Sequence, residues 1–204
     1  MKDPSIANYG GTFAPVHYGH LAVLEALARQ TDIGRIYVMP TNIPPHKRID
    51  FDDDPMKRAQ MLRLAVKGMD AGNRIEISDY ELKKEGPSYT YLTLTYFSEN
   101  VSPDITFVCG ADMFATLPRW KRSETIFRLA RIAYAERPGV DLSGVAERYE
   151  KEYGARLLRL EIEPRDCSST MIRRLAAEGR DVSEYTPPAV AEYIRDNRLY
   201  RSGS

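Results

Sequence analysis

The sequence predicts an α/β fold, in which a doubly wound parallel sheet is flanked by helices and further helices close the C-terminus. Short apolar runs alternate with amphipathic helical patterns along the whole chain. The run Ile105–Cys109 is apolar almost throughout, which is typical of a strand covered on both faces. Because strands and helices alternate, we expect parallel strands joined by right-handed crossovers, a Rossmann-like arrangement.

The strands are predicted from short β-branched and apolar runs that end at glycine, proline or polar residues. We expect them, in chain order, at Ile6–Tyr9, Ile36–Met39, Arg74–Ser78, Ile105–Cys109, Ile132–Ala135 and Leu157–Ile162. The longest irregular stretch is Pro40–Asp54, and a loop of that length in a compact domain is usually either functional or mobile.

The helices are predicted from apolar residues that recur at intervals of three and four. Leu21, Leu24 and Ala28 form such a stripe after the first strand. Asp54-Pro55 is typical of an N-cap followed by proline at the first helical position. The other helices are expected from near Ser88 and at Glu124–Leu129, Ala146–Tyr153, Ser169–Glu178 and Pro188–Asn197.

The composition is that of one globular domain, which we expect to span residues 1–204. The 29 Lys and Arg residues balance the 29 Asp and Glu residues, which argues against a nucleic-acid or anionic-membrane partner. No apolar run reaches the roughly 18 residues of a membrane span. The two cysteines cannot form a disulfide framework, so we expect a cytoplasmic protein, and a homo-oligomer stays open.

A glycine-rich turn follows the first strand and leads into two histidines, in the sequence GGTFAPVHYGH at residues 10–20. Glycines at such a turn let the backbone approach a ligand, and a helix start offers free N–H groups and positive partial charge. His17 and His20 are three residues apart, so both can face the same phosphate. The alternatives are a simple tight turn, a pair of N-terminal caps or a zinc site, although no cysteine or carboxylate lies at ligand spacing.

Two further segments follow predicted strands and carry cationic, acidic or aromatic side chains. A Pro-Pro pair stiffens the chain before His46 and Lys47, which can hold a phosphate or form an ordinary solvated charge run. After the fourth strand, Asp112 can accept hydrogen bonds from ribose hydroxyls or cap a helix. The single tryptophan, Trp120, can stack on a heteroaromatic ring or lie in the core or at its rim.

The segment Cys167–Arg173, with the sequence CSSTMIR, follows the last predicted strand. Its serines, Ser168 and Ser169, can cap a helix. The same hydroxyls and the free amides nearby, with Arg173 one turn further on, also suit a triphosphate. No G-x-S-x-G sequence surrounds these serines, so they are poor candidates for a nucleophile.

Taken together, these segments resemble the nucleotidyltransferase superfamily with an H-x-G-H motif, and more narrowly the bacterial nicotinate mononucleotide adenylyltransferases. The resemblance covers nearly the whole chain. Its blocks, in chain order, are GGTFAPVHYGH at residues 10–20, PPHK at 44–47, SYT at 88–90, GAD at 110–112, LPRW at 117–120, RPG at 137–139, SSTMIR at 168–173 and VAEYIRDNRLY at 190–200. The order and spacing of the blocks are more specific than any one of them.

The resemblance implies transfer of AMP from ATP to nicotinate mononucleotide, with Mg²⁺ carried by ATP and no metal cage built from protein side chains. It implies catalytic roles for His17, His20 and Arg173. The residues that would contact ATP are Gly10, Gly11, Thr12, Phe13, His17, His20, Gly110, Asp112, Ser168, Ser169 and Arg173. The residues that would hold the mononucleotide are Lys47, Thr90, Trp120 and Lys121.

The chain departs from the family pattern at two positions, since Ala14 stands where Asp or Asn is usual and Leu92 where Asp is usual. Ala14 cannot accept a side-chain hydrogen bond, so the glycine-rich loop must be held in another way. Three other functions fit parts of the sequence: adenylyl transfer to another phosphate, a class I aminoacyl-tRNA synthetase, and a catalytically weak nucleotide sensor. The chain is too short for a tRNA-reading domain, and the retained His17, His20 and Arg173 argue against a sensor.

Overall fold

The computed structural model describes residues 5–44, 54–136 and 139–201. The strands within these ranges are β1 Ile6–Gly11, β2 Arg35–Pro40, β3 Ile75–Ile77, β4 Ile105–Gly110, β5 Ala130–Ala135 and β6 Leu157–Leu160. They form one sheet in the order β3-β2-β1-β4-β5-β6, and all neighbouring strands are parallel. This is the doubly wound order in which the direction of winding reverses between β1 and β4, and it confirms the predicted fold class.

Helices cover both faces of the sheet. They are α1 Tyr18–Gln30, α2 Pro55–Val66, α3 Thr90–Asn100, α4 Ala111–Thr116, α5 Ser123–Leu129, α6 Val145–Tyr153, α7 Ser169–Ala177 and α8 Pro188–Asp196, with short 3₁₀ helices at Gly72–Arg74 and Leu117–Arg119. None of the helices in the described part of the chain combines the length and the apolar character that crossing a membrane requires.

The predicted strands and helices are confirmed, with ends that shift by one or two residues. Strand β6 ends at Leu160, which pairs with the last residue of β5, Ala135, and the next backbone N–H, that of Glu161, donates to the Gln30 side chain at 3.0 Å. The prediction missed α4, which begins directly after β4 and has only 6 residues. A helix of that length is too short for an apolar period to show in the sequence.

The sheet separates two apolar cores. Side chains of α1, α2, α7 and α8 fill one core, and side chains of α3, α4, α5 and α6 fill the other. Strand β1 serves both, because Ala7 and Tyr9 face the first core and Ile6 faces the second. A fully buried side chain such as Leu24 in α1 stabilises the fold by about 2 kcal/mol, and β1 has such cores on both of its faces.

This architecture points to the carboxyl edge of the sheet as the place of a ligand-binding crevice. Strands β1 and β4, which lie side by side, end there at Gly11 and Gly110. The winding of the chain reverses between these two strands, and in open α/β sheets ligands bind at that point. Helix α1, which follows β1, begins at the same edge with Tyr18.

A buried carboxyl group belongs to the segment that leads into α3. Glu81 is 5% exposed, and the Thr93 hydroxyl donates a hydrogen bond of 2.7 Å to its Oε1. Burial raises the pKa of Glu81 above its ordinary value, while hydrogen bonds from Thr93 and Ser88 and the charge of Lys84 act in the opposite direction. The folded protein therefore binds a proton at Glu81 more tightly than the unfolded chain does.

We predict that the stability of Glu81→Gln relative to the unchanged protein rises with pH. Above the ordinary pKa of glutamate, about 4.3, Glu81 loses its proton in the unfolded chain but keeps it in the folded protein. The free energy of unfolding therefore falls as the pH rises from this value to the higher pKa of Glu81 in the folded protein. Glutamine can accept the Thr93 hydrogen bond without a charge. Urea denaturation of both proteins from about pH 4 to about pH 8 measures the difference, and a constant or shrinking difference would contradict the prediction.

Candidate active site

The glycine-rich turn, whose two glycines are the last residues of β1, has one open face and one packed face. Among the described residues, a Cβ atom added at Gly10 would meet nothing within 4 Å. A Cβ atom added at Gly11 would lie 2.9 Å from the Phe13 ring. Phe13 itself is 2% exposed and has φ +50°, in the left-handed region that residues other than glycine rarely adopt. The two glycines therefore give a ligand access on one side and leave room for a buried ring on the other.

His17 and His20 lie side by side at the start of α1. His17 is the N-cap residue, and the centroids of the two imidazole rings are 3.7 Å apart with their planes at 31°. The backbone N–H of His17 donates to Nδ1 of His20 at 3.3 Å. Because Nδ1 accepts this hydrogen bond, the neutral ring of His20 carries its proton on Nε2. Nε2–H is a donor suited to an anion at the helix start. The structure thus brings the two predicted histidines together, as the distance between their rings shows.

Cys167 packs against the H-x-G-H motif. The backbone N–H of Gly19 donates to Sγ of Cys167 at 3.3 Å, and the same sulfur lies 3.5 Å from Nδ1 of His17. A Cβ atom at Gly19 would lie 3.1 Å from two atoms of the His17 ring. Glycine at this position therefore leaves room for the imidazole, and the sulfur closes the other side.

Side chains near the C-terminus hold the turn in the absence of an acidic residue at position 14. Nη1 of Arg173 donates to the Ala14 carbonyl at 2.7 Å, and the Ser169 hydroxyl donates to the Pro15 carbonyl at 2.9 Å. The Thr186 hydroxyl donates to the Val16 carbonyl at 2.8 Å. The turn is thus held through its backbone carbonyls, by contacts that do not depend on the side chain at position 14.

Ser168 and Ser169 have different surroundings. Ser168 is the N-cap residue of α7, and its hydroxyl accepts a hydrogen bond from the Met171 N–H at 3.2 Å. The helix-capping alternative therefore holds for Ser168, whereas Ser169 contacts the glycine-rich turn. Arg173 also donates to the Thr170 hydroxyl at 3.2 Å, so its guanidinium is held at the first turn of α7.

Arg58 is a residue of this region that the sequence analysis did not single out. It is 1% exposed; its Nη1 donates to the Thr12 carbonyl at 2.7 Å, and its Nη2 donates to the Thr41 and Asn42 carbonyls at 2.7 and 3.4 Å. A signal exists in the sequence, because Arg58 lies four residues before Leu62 on the apolar face of the predicted helix. A charged residue on such a face needs specific partners.

The residues after β4 begin a second side of the crevice. The strand ends at Gly110, and this glycine is the N-cap residue of α4. The capping interpretation of Asp112 is therefore wrong: because β4 runs directly into α4, the carboxylate lies in the first turn of the helix and is exposed. Trp120 is half-buried, and its ring packs edge to face on Phe107 with the centroids 6.2 Å apart. It therefore lies at the rim of the second core.

Two cation–π contacts join the segment after the tryptophan to the start of α3. Nζ of Lys121 lies 4.3 Å from the centroid of the Tyr89 ring. The guanidinium carbon of Arg122 lies 5.3 Å from the centroid of the Tyr91 ring. Thr90, between the two tyrosines, begins α3. The structure thus brings together the two segments that carry three of the residues expected to hold the mononucleotide.

Two expectations concern a charged loop and a metal. The expected phosphate contact Lys47 lies outside the described residues, as does its neighbour His46, so their roles stay predictions. Residues 5–44, 54–136 and 139–201 contain no group of three or more His, Cys, Asp and Glu side chains that could hold a metal ion.

The sheet order, the glycine-rich turn and the paired imidazoles at the point of reversal define an α/β protein of the nucleotide-binding class. Residues 8–175 match the model of the cytidylyltransferase-like family, and the chain belongs to that family. A relative from Roseiflexus sp. (strain RS-1) is 37% identical over 98% of this chain and 100% of its own length. One from Clostridium tetani (strain Massachusetts / E88) is 32% identical over the same shares.

Both relatives are named nicotinate-nucleotide adenylyltransferase, and the chain belongs to this narrower family, which confirms the resemblance found in the sequence. A solved structure of Plasmodium falciparum nicotinic acid mononucleotide adenylyltransferase complexed with NaAD has the same fold. It matches with a TM-score of 0.81 at 19% identity over 97% of both chains.

We predict that Gly19→Ala weakens ATP binding without lowering stability. The new Cβ would lie 3.1 Å from two atoms of the His17 ring, so the ring must move. Losing one hydrogen bond to a charged group costs about 1.5–3 kcal/mol, which corresponds to binding weakened about 10-fold or more. Alanine is favoured over glycine in helix interiors by about 1 kcal/mol, which offsets the shift of the His17 ring that caps α1, so the melting temperature should stay close to that of the unchanged protein.

Calorimetric titration with ATP and thermal denaturation together test this split. Gly68→Ala is the matched control, because a Cβ at Gly68 would meet nothing within 4 Å among the described residues, and we expect it to keep wild-type affinity. Unchanged ATP affinity in Gly19→Ala would refute the assignment of this turn to the nucleotide.

Proposed function

We propose that this chain transfers the AMP moiety of ATP to nicotinate mononucleotide, forming nicotinate adenine dinucleotide and pyrophosphate in NAD biosynthesis. The observation that carries the proposal is the pair of imidazole rings, 3.7 Å apart, at the start of α1 beside the open turn. The names of the full-length relatives support nicotinate mononucleotide as the acceptor. We propose further that one domain spans the chain and that it works in the cytoplasm.

The reaction depends on the alignment of the two bound reactants rather than on covalent catalysis by the protein. The nucleophile is the phosphate of the mononucleotide, whose second pKa of about 6 leaves it ionised at neutral pH, so no general base is required. One of its oxygens attacks the α-phosphorus of ATP in line, the bond to the bridging oxygen breaks, and pyrophosphate leaves with the electron pair. Aligning two bound reactants can lower the barrier by about 7–11 kcal/mol, so no covalent intermediate is needed.

On the ATP side, His17 and His20 would donate hydrogen bonds to the phosphates from the start of α1, whose partial positive charge adds to the attraction. Arg173 would contact the triphosphate, the open face at Gly10 would admit it, and Asp112 would accept from the ribose hydroxyls. Mg²⁺ would enter with ATP, held mainly by phosphate oxygens and water, and would neutralise charge on the departing pyrophosphate. The other proposed ATP contacts are Gly11, Thr12, Phe13, Gly110, Ser168 and Ser169.

On the acceptor side, the Trp120 ring would stack on the nicotinate ring, and Thr90 and the backbone of Lys121 would bind its carboxylate. The carboxylate would then lie at the N-terminus of α3, where the partial charge of the helix is positive. Lys121 and Arg122 add formal positive charge nearby, and their cation–π contacts hold this charge against α3. Lys47 would lie near the phosphate. These charges favour an acid over an amide in this pocket.

The direct test is pyrophosphate release from ATP with nicotinate mononucleotide, nicotinamide mononucleotide, phosphopantetheine or no acceptor. We expect the highest kcat/KM with nicotinate mononucleotide, and one dinucleotide formed for each pyrophosphate released. A preference for nicotinamide mononucleotide would overturn the acceptor assignment. No release with any acceptor would overturn adenylyl transfer and indicate a nucleotide-binding protein without this activity.

We predict that His20→Ala lowers kcat by about 10²–10³, the usual effect of removing one donor that stabilises transition-state charge. Circular dichroism and thermal denaturation should show an intact fold, because the ring of His20 is only half-buried. Steady-state kinetics with saturating ATP and mononucleotide measure the effect. Full activity in this variant would remove the H-x-G-H motif from the mechanism.

We predict that Trp120→Ala raises KM for nicotinate mononucleotide about 10-fold and leaves KM for ATP within about 3-fold. Stacking of a base on an aromatic side chain contributes about 1–3 kcal/mol, which converts to a change of that size. Trp120→Phe keeps an aromatic face and is the matched control, with an intermediate KM. Equal increases for both substrates would contradict the stacking role.

A further inference from the structure

Arg58 connects the ends of two neighbouring strands. The last ladder pair between β1 and β2 joins Gly11 to Pro40, and just beyond it the Thr41 N–H donates to the Gly11 carbonyl at 3.0 Å. Arg58 extends this connection, because one guanidinium donates to the carbonyls of Thr12 and Thr41, each at 2.7 Å. The turn that would bind ATP and the segment that leaves β2 are therefore held by the same rigid group.

The connection continues from the end of β2 to the start of α3. The Asn42 carbonyl accepts from Arg58 at 3.4 Å, and the Asn42 N–H donates to the Ser88 hydroxyl at 3.2 Å. The Ser88 N–H donates in turn to the Ile43 carbonyl at 2.9 Å. Ser88 lies two residues before Thr90. A continuous hydrogen-bonded path thus runs from the proposed ATP turn to the proposed mononucleotide pocket.

The chemistry of arginine suits this connection. The guanidinium is planar and presents its N–H donors in a fixed fork, so it constrains the angle as well as the distance between its acceptors. Arg58 is 1% exposed, and hydrogen bonds from a charged donor are stronger than those between neutral groups. Arg58 therefore holds the two backbone segments in one fixed relation.

A second arginine in the molecule makes similar bonds far from the crevice. Arg74 donates to the Ile33 carbonyl at 3.1 Å and to the Ala28 carbonyl at 2.5 Å. These acceptors belong to the last turns of α1 and to the segment before β2, at the amino edge of the sheet. Arg74 is therefore a suitable comparison for Arg58, because its hydrogen bonds join backbone segments that belong to neither proposed pocket.

We propose that Arg58 is a positioning residue that sets the distance and angle between bound ATP and the bound mononucleotide. The inference rests on the proposed function, because it concerns the alignment of those two reactants. Arg58 is buried and acts through Thr12 on one side and through Asn42 and Ser88 on the other. In a reaction that depends on alignment, a displacement of about 1 Å can lower the rate about 100-fold, although each reactant still binds in its own pocket.

The test compares Arg58→Gln with the matched control Arg74→Gln. Calorimetry measures the affinities for ATP, nicotinate mononucleotide and the product dinucleotide separately, and steady-state kinetics measure kcat. For Arg58→Gln we expect ATP and mononucleotide affinities within about 3-fold of wild type, with kcat and the affinity for the dinucleotide, which spans both pockets, each lowered at least about 10-fold. Arg74→Gln should lower the melting temperature and leave all four quantities unchanged.

Ser88→Ala keeps the test valid if Arg58→Gln does not fold. It removes the hydroxyl that accepts from Asn42 at the far end of the path and that also hydrogen-bonds Glu81, and we expect the same pattern with smaller changes. Arg58→Lys keeps the charge but not the fork, so it should restore stability more than kcat.

The outcomes separate the inference from the function on which it rests. Wild-type protein that transfers AMP to no acceptor would overturn the proposed function. The affinities of wild type and variants for the dinucleotide could still be compared, because this measurement does not require turnover. Active wild type with variants at Arg58 and Ser88 that lose only stability, as Arg74→Gln does, would overturn the positioning role alone. An equal loss of affinity for all three ligands would also overturn it, because it would show damage to both pockets rather than to their alignment.

Discussion

The organisation of this protein depends on how the backbone carbonyls of residues 11–16 find donors. The carbonyls of Gly11, Thr12, Ala14, Pro15 and Val16 each accept a hydrogen bond from a residue between 30 and 170 positions away. An irregular turn in the interior cannot leave such groups without partners, since each would cost about 1–3 kcal/mol. The donors come from the end of β2, from α2, from α7 and from the segment before α8, so the turn is where four parts of the fold converge.

The fold could be predicted because its signals are local. The stripe of Leu21 and Leu24 indicates a helix, and the continuous run Ile105–Cys109 indicates a buried strand, without knowledge of any neighbour. The two histidines could be predicted for the same reason, since a spacing of three on one helix places them together. The contacts of Arg58 with Thr12, Thr41 and Asn42 could not be predicted, because these acceptors are backbone carbonyls, and a carbonyl has no residue type by which a sequence could reveal it. The contact between Cys167 and His17 is similarly invisible, since 150 residues separate the two.

The zero net charge of the chain is a sum over all residues, and it reflects the paired charges of the surface more than the positive groups at the carboxyl edge of the sheet. The side chains of surface ion pairs such as Arg35–Glu76 and Arg159–Glu136 are 48–62% exposed, and pairs of this kind contribute about 0–1 kcal/mol. At the carboxyl edge of the sheet the positive groups are arranged differently, as helix starts, imidazole N–H donors and a lysine held over the Tyr89 ring. An average over the whole sequence argues correctly against a long polyanion and has little bearing on a small phosphate compound.

The long sequence distance between the glycine-rich turn and α7 has a consequence for the order of events during synthesis. The turn leaves the ribosome early, whereas Ser169, Arg173 and Thr186 follow 154–170 residues after their acceptors. Contacts of such separation are the slowest to form, because the loop they close must first lose its entropy. Until α7 and the segment before α8 dock, the carbonyls of Ala14, Pro15 and Val16 lack these donors, and the start of α1 has no neighbour at Cys167. The hydrogen bonding of this turn therefore cannot be completed before residue 186 has been synthesised.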